Sequence, residues 1–321
     1  MKLRIAPVLA ILLALGSCAR EEAGDRIPHV GIATLMTHPA LDTVVTAMKD
    51  ELAARGYRDG ETIRFTLKNA NGDANLGIAM VRELQLQGVD VIVPITTPIA
   101  QAAAKEADVP IVFSAVTDPV GAGIVDALDV PKPAVTGVSD AWPYRAQLAL
   151  AREIVPSAKR VGVVYNPGEA ASQYGIKQIR RLAPELGFEV IDINVSNTGE
   201  LYGALSVKIG EVDAVYLSSD NTVIQGLPAA LKVSIDAKKP LFVGDSGTVE
   251  KGGLAAVSVG YEGVGRATGE LVARILAGER SIPVVVAEGD EIFLNLDTAR
   301  RIGLEIPASV RARATKVFGP P

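Results

Sequence analysis

The chain contains one cysteine, Cys18, and two histidines, His29 and His38, in 321 residues. A single thiol forms no internal disulfide. So small an inventory leaves no His/Cys cluster for a zinc site and no Cys–His nucleophile pair, and it excludes by count a racemase that works with two thiols. Aromatic residues are also few, 4% of the chain with one tryptophan, so each marks a place where apolar surface is concentrated. No Gly-rich loop closing on Lys-Ser or Lys-Thr is present, which removes the phosphate cradle of nucleotide hydrolases. Gly263-Val-Gly-Arg-Ala-Thr-Gly269 has glycines at GxGxxxG spacing, which is not that of a dinucleotide loop, and the apolar strand before it stops short of Tyr261. Those glycines read as close helix packing. The net charge is −5, and an acidic chain of this kind is a poor nucleic-acid binder.

What is present begins with a leader. Met1-Lys-Leu-Arg4 precedes an apolar run, Ile5–Leu15, and then Gly16-Ser17-Cys18. A basic start, a short apolar segment and small residues before a cut point read as a secretory signal over residues 1–17, too short to span a bilayer as a mature helix. Leu15-Gly-Ser-Cys18 is also the pattern of a bacterial lipobox, in which Cys18 is lipid-modified and becomes the mature N-terminus. The plainer alternative, an ordinary signal with an incidental cysteine, is disfavoured because Cys18 stands alone. Residues 18–27 then form a polar, lipidated tether that holds the remainder at a membrane surface, although one acyl chain alone binds reversibly.

The remainder is organised around residues 89–119. Val89-Asp-Val-Ile-Val-Pro-Ile95 and Ile111–Phe113 are apolar runs that flank an Ala-rich helical segment, which reads as strand, helix, parallel strand. Small hydroxyl residues follow each run: Thr96 and Thr97 after the first, Ser114 and Thr117 after the second. Thr97 before Pro98 suits an N-cap and the first helical position. A helix N-terminus of that kind can bind a carboxylate or phosphate. The pattern recurs: Val212-Asp-Ala-Val-Tyr-Leu-Ser-Ser-Asp-Asn-Thr222, a long amphipathic segment to Lys239, then Pro240-Leu-Phe-Val-Gly-Asp245. Upstream, Gly56 and Gly187 each end a helix before a strand. Two similar halves imply two similar lobes with facing crevices.

At this length two domains of ordinary size are expected. In chain order, strands are expected at Pro28–Met36, Thr62–Lys68, the two runs above, Ala134–Val138, Lys159–Tyr165, 188–193, 213–217, 241–243, Gly253–Val259 and Ile292–Leu296. Helices fall between them, including a short one after Gly123, one over 222–238, and one over Val264–Leu276 that returns to the first half. The alternation suits an α/β chain with two doubly wound parallel-sheet lobes joined by a hinge. The expected division is 28–139 with 261–285 for the N-terminal lobe and 140–260 with 286–321 for the C-terminal lobe, the connection crossing three times.

Thr37-His-Pro-Ala-Leu-Asp42, Thr97-Pro-Ile-Ala-Gln101, Thr117-Asp-Pro-Val-Gly-Ala-Gly123, Val135-Thr-Gly-Val-Ser-Asp140, Tyr165-Asn-Pro-Gly-Glu-Ala170 and Asp220-Asn-Thr-Val223 occur in matching order between about His29 and Gly303. Together they resemble the family of ABC-transporter substrate-binding lipoproteins that includes bacterial tryptophan- and tyrosine-binding proteins. The resemblance implies the type I periplasmic-binding-protein clamshell. It also implies a monomer with a small-molecule ligand, an ABC permease with a separate ATPase as partner, and no cofactor or metal. Trp142-Pro-Tyr144 after Asp140 is a departure from the family pattern.

An α-amino acid presents a carboxylate, an ammonium and a side chain, so a receptor needs donors, an acceptor and an apolar wall. For the carboxylate the expected partners are Thr97, backbone donors around Ala100 and Gln101, and Thr117, with Ser172 a weaker candidate from the other lobe. For the ammonium they are Asp220, with Asn221 beside it, Asp245 and, at the hinge, Asp140. Each residue alone has a plainer role as cap or turn. Trp142 and Tyr165 are expected to wall an aromatic or branched ligand, and His38 to sit near the cleft; Phe113 belongs in the interior. The rivals are a secreted hydrolase using Asp220 and Asp245, a sensor ectodomain, and a transcription regulator. A signal stands where the regulator would have a helix-turn-helix, and no apolar span after residue 18 serves the sensor.

Overall fold

The structure, a computed structural model, describes residues 26–320. The expected signal, Cys18 and most of the tether lie outside the described residues. The first half supplies β1 (His29–Thr34), β2 (Arg64–Asn69), β3 (Val91–Ile95), β4 (Ile111–Val116) and β5 (Val135–Ser139). The second supplies β6 (Arg160–Tyr165), β7 (Glu189–Asn194), β8 (Ala214–Leu217), β9 (Leu241–Phe242) and β10 (Ala255–Ser258). Three late strands follow, β11 (Val285–Val286), β12 (Glu291–Asn295) and β13 (Lys316–Phe318).

These strands form two sheets, in the orders β11-β5-β4-β3-β1-β2 and β13-β12-β10-β9-β8-β6-β7. Stripped of the late strands the orders are 5-4-3-1-2 and 10-9-8-6-7, one pattern used twice. Every pairing in the first sheet is parallel. In the second only the β10–β12 pairing is antiparallel. Each pattern reverses direction between its first and third strands, β1/β3 and β6/β8, and ligands of doubly wound sheets lie beyond the carboxyl ends at such a reversal.

Period-2 burial explains the layering of the second sheet. Val163, Tyr216, Phe242 and Leu294 join one apolar cluster while Val164, Val215, Leu241 and Phe293 join another on the opposite face. In the first sheet β1, β3 and β4 are buried along their whole length, as central parallel strands covered on both faces are. Helix Tyr261–Leu276 packs on helix Pro39–Ala54. A Cβ on Gly265 would lie 2.5 Å from the Val44 carbonyl oxygen, and one on Gly269 would lie 2.7 Å from that of Met48. These two glycines let the backbones touch, as the GxGxxxG spacing implied; Gly263 faces open space. Gly56 and Gly187 both take positive φ, 93° and 75°, where their helices end.

Several local expectations need correction. No helix follows Gly123; residues 119–125 are turns, with the Gly121 N–H on Asp118 Oδ1 at 2.9 Å. The helix expected over 222–238 is two, Asn221–Gln225 and Leu227–Asp236, divided at Gly226 and restarted with Pro228 in its first turn. Thr97 is the first helical residue rather than the N-cap. Thr96 is the N-cap, at φ 84° and ψ 154°, and its side chain makes no capping bond. Among the described residues no helix is long and apolar enough to cross a membrane.

Candidate functional site

A cavity of about 60 Å³ lies where the carboxyl ends of the two sheets meet. His38 reaches it from beyond β1, Thr96 and Thr97 from beyond β3, Ser219 and Asp220 from beyond β8, and Ala171 from beyond β6. Both strand-order reversals therefore contribute. Thr117, Asp140, Asp245 and Tyr261 complete the polar lining from the ends of β4, β5, β9 and β10. Among the described residues that line it, none is Lys or Arg.

Two of the three buried carboxylates are helix caps. Asp220 caps helix Asn221–Gln225: Oδ1 accepts the Val223 N–H at 2.9 Å and Oδ2 accepts the Asn166 N–H. Asp245 caps the next short helix, Oδ1 accepting the Thr248 N–H at 2.9 Å and Oδ2 its hydroxyl at 2.5 Å. Asp140 accepts from the Tyr261 hydroxyl at 2.9 Å and, more distantly, from that of Thr117 at 3.4 Å. Burial pushes the Asp140 carboxyl up to about 6, although both hydroxyls favour its ionised form. Burial first, and then the neighbouring Glu169 carboxylate, push up that of Asp220. Glu169 grips the backbone and side chains of Asn221 and Thr222 at 2.6–3.0 Å, so the loop after β6 is tied to the helix after β8.

Donors on the opposite side are less committed. The Thr96 hydroxyl is buried without a partner. Its backbone lies in a region of φ and ψ that is essentially confined to glycine. The distortion arises at an irregular end of the sheet. Pro94 has no N–H to give between the β3–β4 bonds from Ile92 and Thr96, and the β4–β5 register slips at Ala115, whose φ is also positive at 51°. His38 accepts the Ala40 N–H on Nδ1 at 3.3 Å, and burial lowers the ring below its ordinary range despite Asp245. A neutral ring that accepts at Nδ1 carries its proton on Nε2. That Nε2–H is buried with no partner, 3.8 Å from Asp245 Oδ1 and beyond hydrogen-bond reach. Thr117 Oγ1 lies 2.9 Å from Ser219 Oγ, a contact between the two sheets.

Met36, Leu41 and Ile224 form an apolar wall with the faces of Trp142 and Tyr261. The Trp142 indole lies on Gly244, where any Cβ would overlap its six-membered ring. Among the described residues no group of three or more His, Cys, Asp or Glu is placed to hold a metal.

Of the residues singled out in the sequence, His38, Thr97, Thr117, Asp140, Trp142, Asp220, Asn221 and Asp245 line this one cavity. The other four stand apart. The Ala100 N–H is taken by the Thr96 carbonyl at 3.0 Å, and Gln101 is exposed with its amide on the Ala122 carbonyl. Ser172 is wholly buried behind the Ala171 lining, where it eases the charge on Asp220 but lies outside hydrogen-bond geometry. Tyr165 points into the second sheet's own interior and reaches Arg180 at 3.2 Å. Thr96, Ser219 and Tyr261 were not among the candidates. The hydroxyl clusters at the ends of β3 and β8 signalled the first two, whereas nothing in the sequence places Tyr261 opposite Asp140.

The sequence model of the ABC transporter substrate binding protein family matches residues 29–318. A tyrosine-binding protein of Clostridioides difficile is 31% identical over 95% of this chain and 92% of its own length. Among solved structures, an ABC domain from Streptococcus pneumoniae in complex with L-Trp superposes with a TM-score of 0.87 at 32% identity, covering 91% of this chain and all of its own. The ligand-free, open structure of a substrate-binding protein with adhesive properties from Clostridium difficile gives 0.71 at 33% identity, covering 92% and 100%.

Proposed function

The chain belongs to the ABC transporter substrate-binding protein family, and from that premise we propose that it captures a small amino-acid-like solute between two lobes and delivers it to a membrane permease. The observation that carries this reading is one cavity holding fixed carboxylate acceptors from Asp140, Asp220 and Asp245 opposite the unpartnered donors of Thr96 and His38. A zwitterion satisfies both sets at once: its ammonium goes to the carboxylates and its carboxylate to the hydroxyl and imidazole donors. The same buried groups left unmatched would each be unfavourable.

In this reading residues 28–139 with 261–285 form one lobe and 140–260 with 286–321 the other, although β11 carries the first sheet's pairing on to Val286. The lobes stand closed. The Thr117–Ser219 contact supports this, as does the seat of Gly247, where a Cβ would lie 3.1 Å from Pro39 and 3.2 Å from His38. The higher TM-score against the L-Trp complex than against the open structure, at 32% and 33% identity and 91% and 92% coverage, supports it too. Ligand bridging both lobes favours closure by population shift, and the permease reads the closed surface. Cys18 carries lipid and holds the receptor at the outer face of a membrane, a separate subunit hydrolyses ATP, and the receptor itself performs no chemistry.

Calorimetry of protein unfolded and refolded to strip its ligand, titrated with the twenty amino acids, tests the reading. Saturable one-to-one binding is expected, with the ligand recovered chemically unchanged. Silence across the whole set would overturn the assignment, and a chemically altered ligand would favour a hydrolase.

A further inference from the structure

We propose that Trp142 is a built-in occupant of the apolar end of this cavity, so that the ligand is one of the smallest amino acids and not an aromatic or branched one. This rests on the amino-acid reading above and narrows it.

Volume is the first observation. One water needs about 10–15 Å³ of such space, and a cavity that accepts benzene offers about 150 Å³. The 60 Å³ found here accommodates about four to six atoms of water size. That is the size of glycine or alanine, serine being one atom larger, and it leaves no room for a second ring.

The backbone beneath the indole is the second observation, and it accounts for the small volume. Three ring atoms of Trp142 sit where a Cβ of residue 244 would be, so the ring lies flat on Gly244 directly before the ligand-facing Asp245. Tyr144 supports it from the side, with ring centroids 6.4 Å apart, and the indole N–H reaches toward the Tyr261 hydroxyl at 3.5 Å. Trp142 as a whole is only 7% exposed. A side chain seated on a glycine and flanked by aromatics does not swing aside for a ligand ring; it takes that ring's place.

Trp142 is the only tryptophan of the chain, so its emission reports contact at the pocket directly. The test titrates stripped wild-type protein, Trp142→Ala and Gly244→Ala with glycine, L-alanine, L-serine, L-leucine, L-phenylalanine and L-tyrosine, reading heat and, where Trp142 remains, emission. Wild type is expected to bind at least one of the three small amino acids about 100-fold more tightly than L-phenylalanine or L-tyrosine, with an emission shift. Trp142→Ala is expected to reverse that order by admitting the ring. Gly244→Ala, whose Cβ drives the indole into the cavity, is expected to weaken small-ligand binding about tenfold while still unfolding cooperatively. Tighter wild-type binding of L-leucine or an aromatic amino acid than of all three small ones would overturn the proposal and leave the amino-acid reading intact. Binding of none of the six would overturn the proposal, and the amino-acid reading would then rest on the remaining members of the twenty. Should Trp142→Ala not fold, the wild-type order alone decides.

Discussion

The two sheets share one strand order and put opposite chemistry at its reversal. Beyond β8 and β9, Asp220 and Asp245 lie at ordinary extended φ values of −153° and −143°, and each carboxylate is held by the amide three residues on. Beyond β3 the equivalent cap, Thr96, sits at φ 84° with its hydroxyl bonded to nothing. The two caps of the second sheet are thus acceptors already held by their own helices, at the small cost of ordinary helix capping, while the third acceptor, Asp140, follows β5 of the first sheet. The first presents donors that gain a partner only when something enters, and it carries backbone strain to do so. One strand order thus carries bonded carboxylates in one sheet and an unbonded hydroxyl in the other.

The largest effect is expected from the bonded carboxylates. Asp220→Ala removes a proposed partner of the ammonium and leaves the Asn166 and Val223 amides without an acceptor; affinity should fall about 100-fold or more by calorimetry. The lost cap should lower stability by about 1 kcal/mol in denaturant melts. Wild-type affinity in this variant would leave the second sheet's carboxylates a capping role only.

At the unbonded hydroxyl the signs separate. Thr96→Gly relieves a backbone conformation that costs about 1–3 kcal/mol, so the free protein should become more stable, while loss of the hydroxyl should weaken binding about tenfold. A variant that loses both stability and affinity would show that Thr96 is not strained.

Acidity offers a third contrast. The Asp140 carboxyl is held up at about 6 by burial, above its unfolded value of 3.8. Between those values the folded state binds the proton more tightly than the unfolded chain, so this group's contribution to the stability of the free protein rises as pH falls through about 6. An ammonium needs the ionised form, so affinity should drop about tenfold between pH 8 and pH 5. Binding enthalpies near pH 6 should depend on the buffer, because the complex releases a proton. The smallest effect is expected at Gly247: Gly247→Ala meets Pro39 and His38 at 3.1–3.2 Å and, if the lobes close as proposed, should open them slightly, weakening binding a few-fold and widening the scattering profile.

How much of this was legible follows from what each feature depends on. Apolar runs closed by Gly, Pro and hydroxyl residues mark parallel strands on local grounds, so β1 to β10 could be read, and the strand-end location of the site with them. The GxxxG contact of Gly265 and Gly269 was legible for the same reason. β11 and β13 were not, because two exposed valines and Lys316–Phe318 pair only once the chain has crossed between sheets. Tyr165 was misplaced because it ends its strand facing the second sheet's own helix, one side-chain alternation away from the cleft. Thr96 was overlooked as the cap because its φ is imposed by the sheet irregularity at Pro94 and Ala115, which no propensity of threonine foretells. Tyr261 meets Asp140 across 121 residues through tertiary threading alone.

In the proposed function, fixed carboxylates receive an ammonium while unpartnered donors receive a carboxylate. Its most direct test is a calorimetric comparison, at pH 7.5, of the best-bound amino acid with its des-amino acid, which keeps the carboxylate and side chain and lacks the amine. The account predicts that the des-amino acid binds about 100-fold more weakly or not at all. Equal affinity for the two would contradict it.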